Sequence, residues 1–377
     1  MTSAIKLSRP LLATLAMALA LGTQSAPAAE PKGFLESIKR HAVLGSTVPD
    51  NGDQNPYAVV VAPVSAGLIQ KDDVLVGNFN NANNLQGTGS TIVFYRPTTK
   101  KFGQFAQIPR DLAGCPGGVG LGTAMIMLKS GWVIVGSAPS KDGTTATRGD
   151  GCLIVLDSQG KVAATLAGAN ISMPWGNMAV IDEGATATLF VSNAGFDLGP
   201  PGEDAPMLAK ATVLRLRLEI PQGKPPVVTN QTVIGSGFGA QADADVFLVG
   251  PTGLALAKDG TLYVSDSTAN RITAIPEAAT RTTSAGTGRE ITRDGLLKRP
   301  LAMAMTPAGH LLAINGLNGQ VVELDPAQGK QIYARWIDPN KAQTPPGSGD
   351  LFGIAMTPDG RGFYFVEDEV NMLVLAQ

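Results

Sequence analysis

The feature that most narrows the folds open to this chain is an internal period. Three segments near the C-terminus align, GPTGLALAKDGTLYVSD (Gly250 to Asp266), RPLAMAMTPAGHLLAIN (Arg299 to Asn315) and DLFGIAMTPDGRGFYFVED (Asp350 to Asp368), at intervals of about fifty residues. Each is an apolar strand, a short turn carrying Gly and a second strand, which is the pattern of a β-hairpin. Weaker copies at Asn55 to Asn78, Gly122 to Ser137 and Pro174 to Asn193 bring the hairpins to six. The first five are each followed by a third strand (STIVFYRP, CLIVLDSQG, ATVLRLRLEI, NRITAIP, GQVVELDP), and weaker fourth strands such as AATLAG, TVIGSG, RTTSAG and QIYARW come next. Four antiparallel strands per repeat make a propeller blade.

The sixth repeat ends at the chain terminus with three strands, so its fourth must come from elsewhere. The segment His41 to Thr47 (HAVLGST) resembles the fourth strands and would close the ring, removing the edges an incomplete circle leaves open. The expectation is therefore an all-β, six-bladed β-propeller closed by an N-terminal strand that completes the last blade. Its blades should lie near 55–113, 114–170, 171–240, 241–297, 298–346 and 347–377 plus 41–47, as a single propeller over 30–377. FLESIKR, just before the closing strand, reads as a short helix with Phe34 and Ile38 on one side.

Residues 1–29 read as a signal peptide: Lys6 and Arg9, an apolar run from Leu11 to Leu21, then Ala26-Pro27-Ala28 as a small-residue cleavage site. That run is shorter than the roughly 20 residues of a membrane span. A periplasmic or secreted protein without stable membrane insertion is expected. With 45 Gly, 26 Pro and 16% charged residues, the composition suits short strands and many turns. A formal charge of −2 provides no basic field for nucleic acid.

One repeat resembles a known family closely. Pro251-Thr252-Gly253-Leu254-Ala255-Leu256, Asp259-Gly260, Leu262-Tyr263-Val264-Ser265-Asp266-Ser267 and Asn270-Arg271-Ile272 look like an NHL repeat, the detailed motif covering about one sixth of the chain. The wider superfamily holds gluconolactonase-like and paraoxonase-like hydrolases. The resemblance implies that strand two-to-three and strand four-to-one connections open on one face, the top. Three of them are long, Asn78 to Ser90, Ser137 to Gly151 and Asn193 to Lys210, which marks the top of blades one to three as the expected recognition surface. Cys115 and Cys152 fall on the same face, where an oxidising compartment favours a disulfide over two buried thiols or a redox pair.

The second strands end at Asn78, Ser137, Asn193, Asp266, Asn315 and Glu367, and Asn80 follows in an Asn-rich loop. These residues are the candidates for ligand binding. Oxygen donors there would suit calcium, with Asn193 and Asp266 as the core of a metal set joined by Asn78 or Glu367. In the hydrolase relatives the metal donors sit mainly at the entrances of the innermost strands. Here those entrances carry Trp175, Thr252, Leu301 and Phe352, with Asn177 and Asp350 the nearby oxygen donors. Asp266 also has a structural reading, a turn facing Arg271. Glu367-Asp368-Glu369 reads as a solvated hairpin tip, Asp243 and Asp245 as solvated loop carboxylates, and Trp132, Trp175 and Trp336 as packing between blades. With His41 and His310 the only histidines, no histidine zinc site can be built at the top, and no GxSxG elbow or phosphate loop occurs.

The leading expectation is a non-catalytic binding module, monomeric and without a cofactor, presenting its top loops to a protein, peptide or carbohydrate. The alternative is a calcium-dependent hydrolase or lactonase.

Overall fold

Alternating short apolar strands and glycine turns build six antiparallel sheets in this computed structural model, which describes residues 1–2, 33–202 and 204–377. All but the first two residues of the expected leader lie outside the described residues. The unit Gly33–Gln377 begins with the helical turn α1 (Phe34–Ser37) and the strand β1 (His41–Ser46). Blade one holds β2 (Gln54–Val61), β3 (Val74–Asn80), β4 (Thr91–Arg96) and β5 (Lys101–Gln107). Blade two holds β6 (Leu121–Met127), β7 (Val133–Ser137), β8 (Cys152–Leu156) and β9 (Val162–Leu166). Blade three is β10 (Ala179–Asp182), β11 (Thr186–Asn193), β12 (Leu208–Glu219) and β13 (Val227–Asp243), extended by β14 (Phe247–Val249).

Blade four is β15 (Pro251–Leu256), β16 (Leu262–Asp266), β17 (Arg271–Ile275) and β18 (Arg289–Arg293). Its fourth strand is REITR, not the RTTSAG segment the sequence suggested, which forms the preceding loop. Blade five is β19 (Pro300–Met305), β20 (Leu311–Asn315), β21 (Gln320–Asp325) and β22 (Lys330–Trp336). Blade six is β23 (Leu351–Met356), β24 (Phe363–Glu367) and β25 (Met372–Ala376), and β1 completes it by pairing antiparallel with β25, His41 opposite Ala376. The expected architecture and its N-terminal closure are both present.

Burial follows strand order. The second strands β3, β7, β16 and β20 are buried along their whole length, because both faces meet neighbouring blades. Outer strands such as β9 and β22 alternate between half-buried and exposed. Trp336, on β22, is exposed rather than packed between blades.

Before β1 the chain is clasped to blade five. The carboxylate of Glu323, fully buried in β21, accepts the backbone N–H groups of Phe34 at 2.8 Å and Leu35 at 2.9 Å and meets Nδ1 of His310 at 2.7 Å. Gly33 is required by this approach, since a Cβ there would stand 2.7 Å from a Glu323 oxygen.

Cys115 and Cys152 form a disulfide across 37 residues, joining the loop entering blade two to the start of β8. A loop of that length restricts the unfolded chain by about 4 kcal/mol. Replacing both cysteines with serine should lower the unfolding free energy by about that much in denaturant titrations. A loss below about 1 kcal/mol would show that the bridge does not constrain the unfolded ensemble.

Candidate active site

The side chains ending the second strands divide into five with a local task and one without. Asn78 donates to the Thr47 carbonyl at 2.9 Å. The Ser137 hydroxyl accepts the Gly120 N–H at 3.0 Å and donates to the Gly118 carbonyl at 2.9 Å. Asn193 accepts the Ser172 N–H at 3.3 Å, and Asn315 accepts the Lys298 N–H at 2.9 Å while donating to the Leu296 carbonyl at 3.0 Å. All four tie the top of a blade to the loop that enters the same blade. Asp266 pairs with Arg271 at 2.8 Å, the structural role of its turn. Asn80 donates to Asn84 at 2.7 Å, closing the Asn-rich loop on itself.

Glu367, the sixth, has no hydrogen-bond partner among the described residues. Burial, then the charges of Asp338 and Asp350, push its carboxyl up to about 7. Those neighbours arrive by a local route. After β22 the chain makes successive turns in which Asp338 accepts the Asn340 N–H at 2.9 Å and Asn340 accepts the Ala342 N–H at 3.0 Å. The Asp368 N–H donates to the Asp350 carbonyl at 2.9 Å, which sets the two acids side by side.

Five carboxylates result: Asp338, Asp350, Glu367, Asp368 and Glu369. Asp338 is raised to about 6, first by burial and then by the neighbouring carboxyl of Asp350. Asp368 is 7% exposed and is driven well above the carboxylate range by burial and then by Asp350. The side-chain amides of Asn340 and Gln343 each donate to both Asp350 and Glu369, holding these like charges together. The solvated hairpin tip expected at Glu367-Asp368-Glu369 is thus corrected. Repulsion is tolerated there because protons and amide donors, rather than water alone, meet the acids.

The channel axis beneath is closed. Tyr57 stacks on Phe352 at 3.7 Å and on Phe79 at 4.6 Å, while Trp175 meets Tyr57 edge-on at 6.1 Å and lies over Phe247 at 6.1 Å. All five rings are buried. Trp175 therefore plugs the channel instead of packing between blades. Asn177 spans the channel, accepting the Met303 N–H at 3.1 Å and donating to the Leu254 carbonyl at 2.9 Å. The inner strands come close enough that a Cβ on Gly176 would stand 1.7 Å from the Thr252 carbonyl oxygen.

Calcium takes six to eight oxygens at 2.3–2.6 Å. Asn193 and Asp266 are committed within their own blades, and the axis between them is aromatic, so these residues do not fit an axial calcium ion. Among the described residues no three His, Cys, Asp or Glu side chains are arranged to hold a metal ion. Asp243, expected to be solvated, is half-buried and pairs with Arg299 at 3.4 Å across the mouth.

No protein-family model matches the chain, and no curated protein matches it in sequence. Solved structures do match its fold. A gluconolactonase from Xanthomonas campestris aligns with a TM-score of 0.54 at 14% identity, covering 89% of this chain and 88% of its own. A luciferin-regenerating enzyme aligns with a TM-score of 0.51 at 12% identity over 88% of this chain and 95% of its own. A catalytically inactive virginiamycin B lyase from Staphylococcus aureus aligns with a TM-score of 0.50 at 13% identity over 89% and 84%. The shared fold is that of gluconolactonase-like six-bladed propellers. This company of propeller enzymes overturns the expectation of a pure binding module, and the acids at the mouth of blades five and six draw attention away from the long loops of blades one to three.

Proposed function

We propose that the protein is a hydrolase that opens lactones or cleaves esters by carboxyl acid–base chemistry at the mouth of blades five and six. The carrying observation is Glu367, alone among the six equivalent positions in having neither a clip nor an ion pair, with its carboxyl near 7 beside Asp338, whose carboxyl is raised to about 6. General acid–base groups work best when matched to the working pH. The lower group serves as base and the higher as acid. Ionised Asp338 takes a proton from water as the water oxygen adds to the carbonyl carbon. Glu367 then gives its proton to the departing alkoxide oxygen as the C–O bond breaks, and proton exchange through solvent restores both. The likeness to a gluconolactonase fold supports a lactone or ester as the reacting group.

On this reading the protein acts outside the cytoplasm as a monomer of NHL type after removal of residues 1–29. The leader-like N-terminus, the Asp266-to-Ile272 motif and the disulfide support that placement.

The test is proton release from a panel of γ- and δ-lactones and aryl esters near pH 6.5. Turnover above the uncatalysed rate is expected, and it should be lost in Glu367→Gln. A folded protein that accelerates none of the panel would overturn the proposal.

A further inference from the structure

We propose that the mouth seats a positively charged group, so that the substrate class is an ester or lactone carrying an alkylammonium. This rests on the hydrolase reading above and adds the charge of what it hydrolyses.

The first ground is charge without compensation. Elsewhere on the top face acids are compensated, as Asp266 meets Arg271, Asp243 meets Arg299, and Asp53 accepts from the Ser90 N–H and the Ser90 and Thr91 hydroxyls. Asp338, Asp350, Glu367, Asp368 and Glu369 form no ion pair among the described residues. Crowded acids lacking a counter-ion are destabilised when ionised, and a bound cation relieves that cost. The tethers from Asn340 and Gln343 make sense in this light, since they hold two acids in an arrangement that is unfavourable until something positive lies between them.

The second ground is a pair of unsatisfied acceptors beside the acids. Tyr57 is 1% exposed, yet its hydroxyl makes no hydrogen bond among the described residues. Burial first, and then the nearby carboxyls of Asp368 and Asp243, raise its phenol well above the ordinary value. Beside the acids, the side-chain oxygen of Gln343 is also buried without a partner. A phenol oxygen and an amide oxygen are acceptors, suited to the N–H or polarised C–H groups of an ammonium.

An organic ammonium fits better than a metal ion because, among the described residues, no three of these side chains are arranged to hold a metal ion.

Two measurements decide the matter. The first compares turnover of acetylthiocholine with that of its uncharged carbon isostere, 3,3-dimethylbutyl thioacetate. We expect kcat/KM to favour the cation by about tenfold or more at low ionic strength, with the ratio shrinking as salt is added and in Glu369→Gln. Equal kcat/KM for the two esters would overturn the inference and leave the hydrolase reading standing.

The second measures the melting temperature in tetramethylammonium chloride against sodium chloride at matched ionic strength. A rise of about 3 °C is expected for the native protein and none for Asp368→Asn. Stabilisation without turnover of either ester would keep the ammonium seat and overturn the hydrolase. No stabilisation, or stabilisation by calcium chloride alone, would overturn the ammonium seat.

Discussion

A protein beginning at residue 48, without α1 and β1, should fail to show a cooperative unfolding transition. The six residues of β1 are half-exposed along their length, so their contribution is chiefly the ladder to β25 and not side-chain burial. Net backbone hydrogen bonds contribute about 1 kcal/mol each. Lys39 and Arg40 add two more, both N–H groups donating to the Gln377 carbonyl at 2.8 Å. Leu35 and Ile38 are fully buried in the main core, and losing each costs about 2–3 kcal/mol. Glu323 would lose the two N–H partners that satisfy it, and a buried carboxylate stripped of donors costs more than a lost bond. These losses together approach the 5–15 kcal/mol that holds most proteins folded. Near-ultraviolet circular dichroism and urea titration give the readout, and a synthetic peptide of residues 33–47 added in trans should restore the signal. A truncated protein melting within a few degrees of the full chain would show that the ring needs no closure.

The closure was legible because a propeller has a counting rule: five complete sets of four strands and one of three leave a single vacancy, and only one upstream segment has the right pattern. The fourth strand of blade four was misplaced because outer strands face solvent and carry little apolar signal; RTTSAG and REITR differ in structure through context, not composition. The extra strand β14 was likewise hidden just after QADADVF, which reaches only its first residue, Phe247, and whose acids suggested a loop.

The candidate site was half legible. Glu367 could be picked because the repeat gives six equivalent positions, but their differences lie in what each side chain touches. Four clip a loop and one finds an arginine, whereas Glu367 finds other acids, and no spacing rule announces that. Asp350 stood out only as an oxygen near a strand entrance. Asp338 carried one cue, the Asp-Pro-Asn run that makes its turn, and that cue speaks of backbone geometry. The triplet Glu367-Asp368-Glu369 misled because charge runs are solvated when alone. Here Asp338 and Asp350, from the connection preceding β23, fold against it and bury its middle member. Of the aromatic plug only Trp175 and Phe352 stood out at the strand entrances, and its closure of the axis depends on Tyr57, Phe79 and Phe247 arriving from other segments.

Replacing Glu367 with glutamine should reduce kcat by about 10²- to 10⁴-fold, the usual range for a general acid or base, while leaving the fold intact. The wild-type rate should pass through a maximum between about 6 and 7. Below that window Asp338 keeps its proton and cannot act as base; above it Glu367 is ionised and has no proton to give. The two limbs belong to the coupled cluster, so the variant is the way to separate them. It should lose the falling limb and keep the rising one.

Stability supplies a readout that a merely structural role would not produce. Glu367 has a folded value raised above that of the unfolded chain, so its favourable contribution is full below the ordinary glutamate value and is lost as the pH rises through about 7. Because the group is partly open to solvent, the effect is screened and should amount to about 1 kcal/mol. Wild type and Glu367→Gln should therefore melt together at pH 5, and the variant should melt a few degrees higher at pH 8. A structural clip like Asn315 would give the opposite result, a variant less stable at both pH values. Full activity in the variant, or a pH profile with both limbs unchanged, would remove Glu367 from the chemistry and with it the acid–base reading of this mouth.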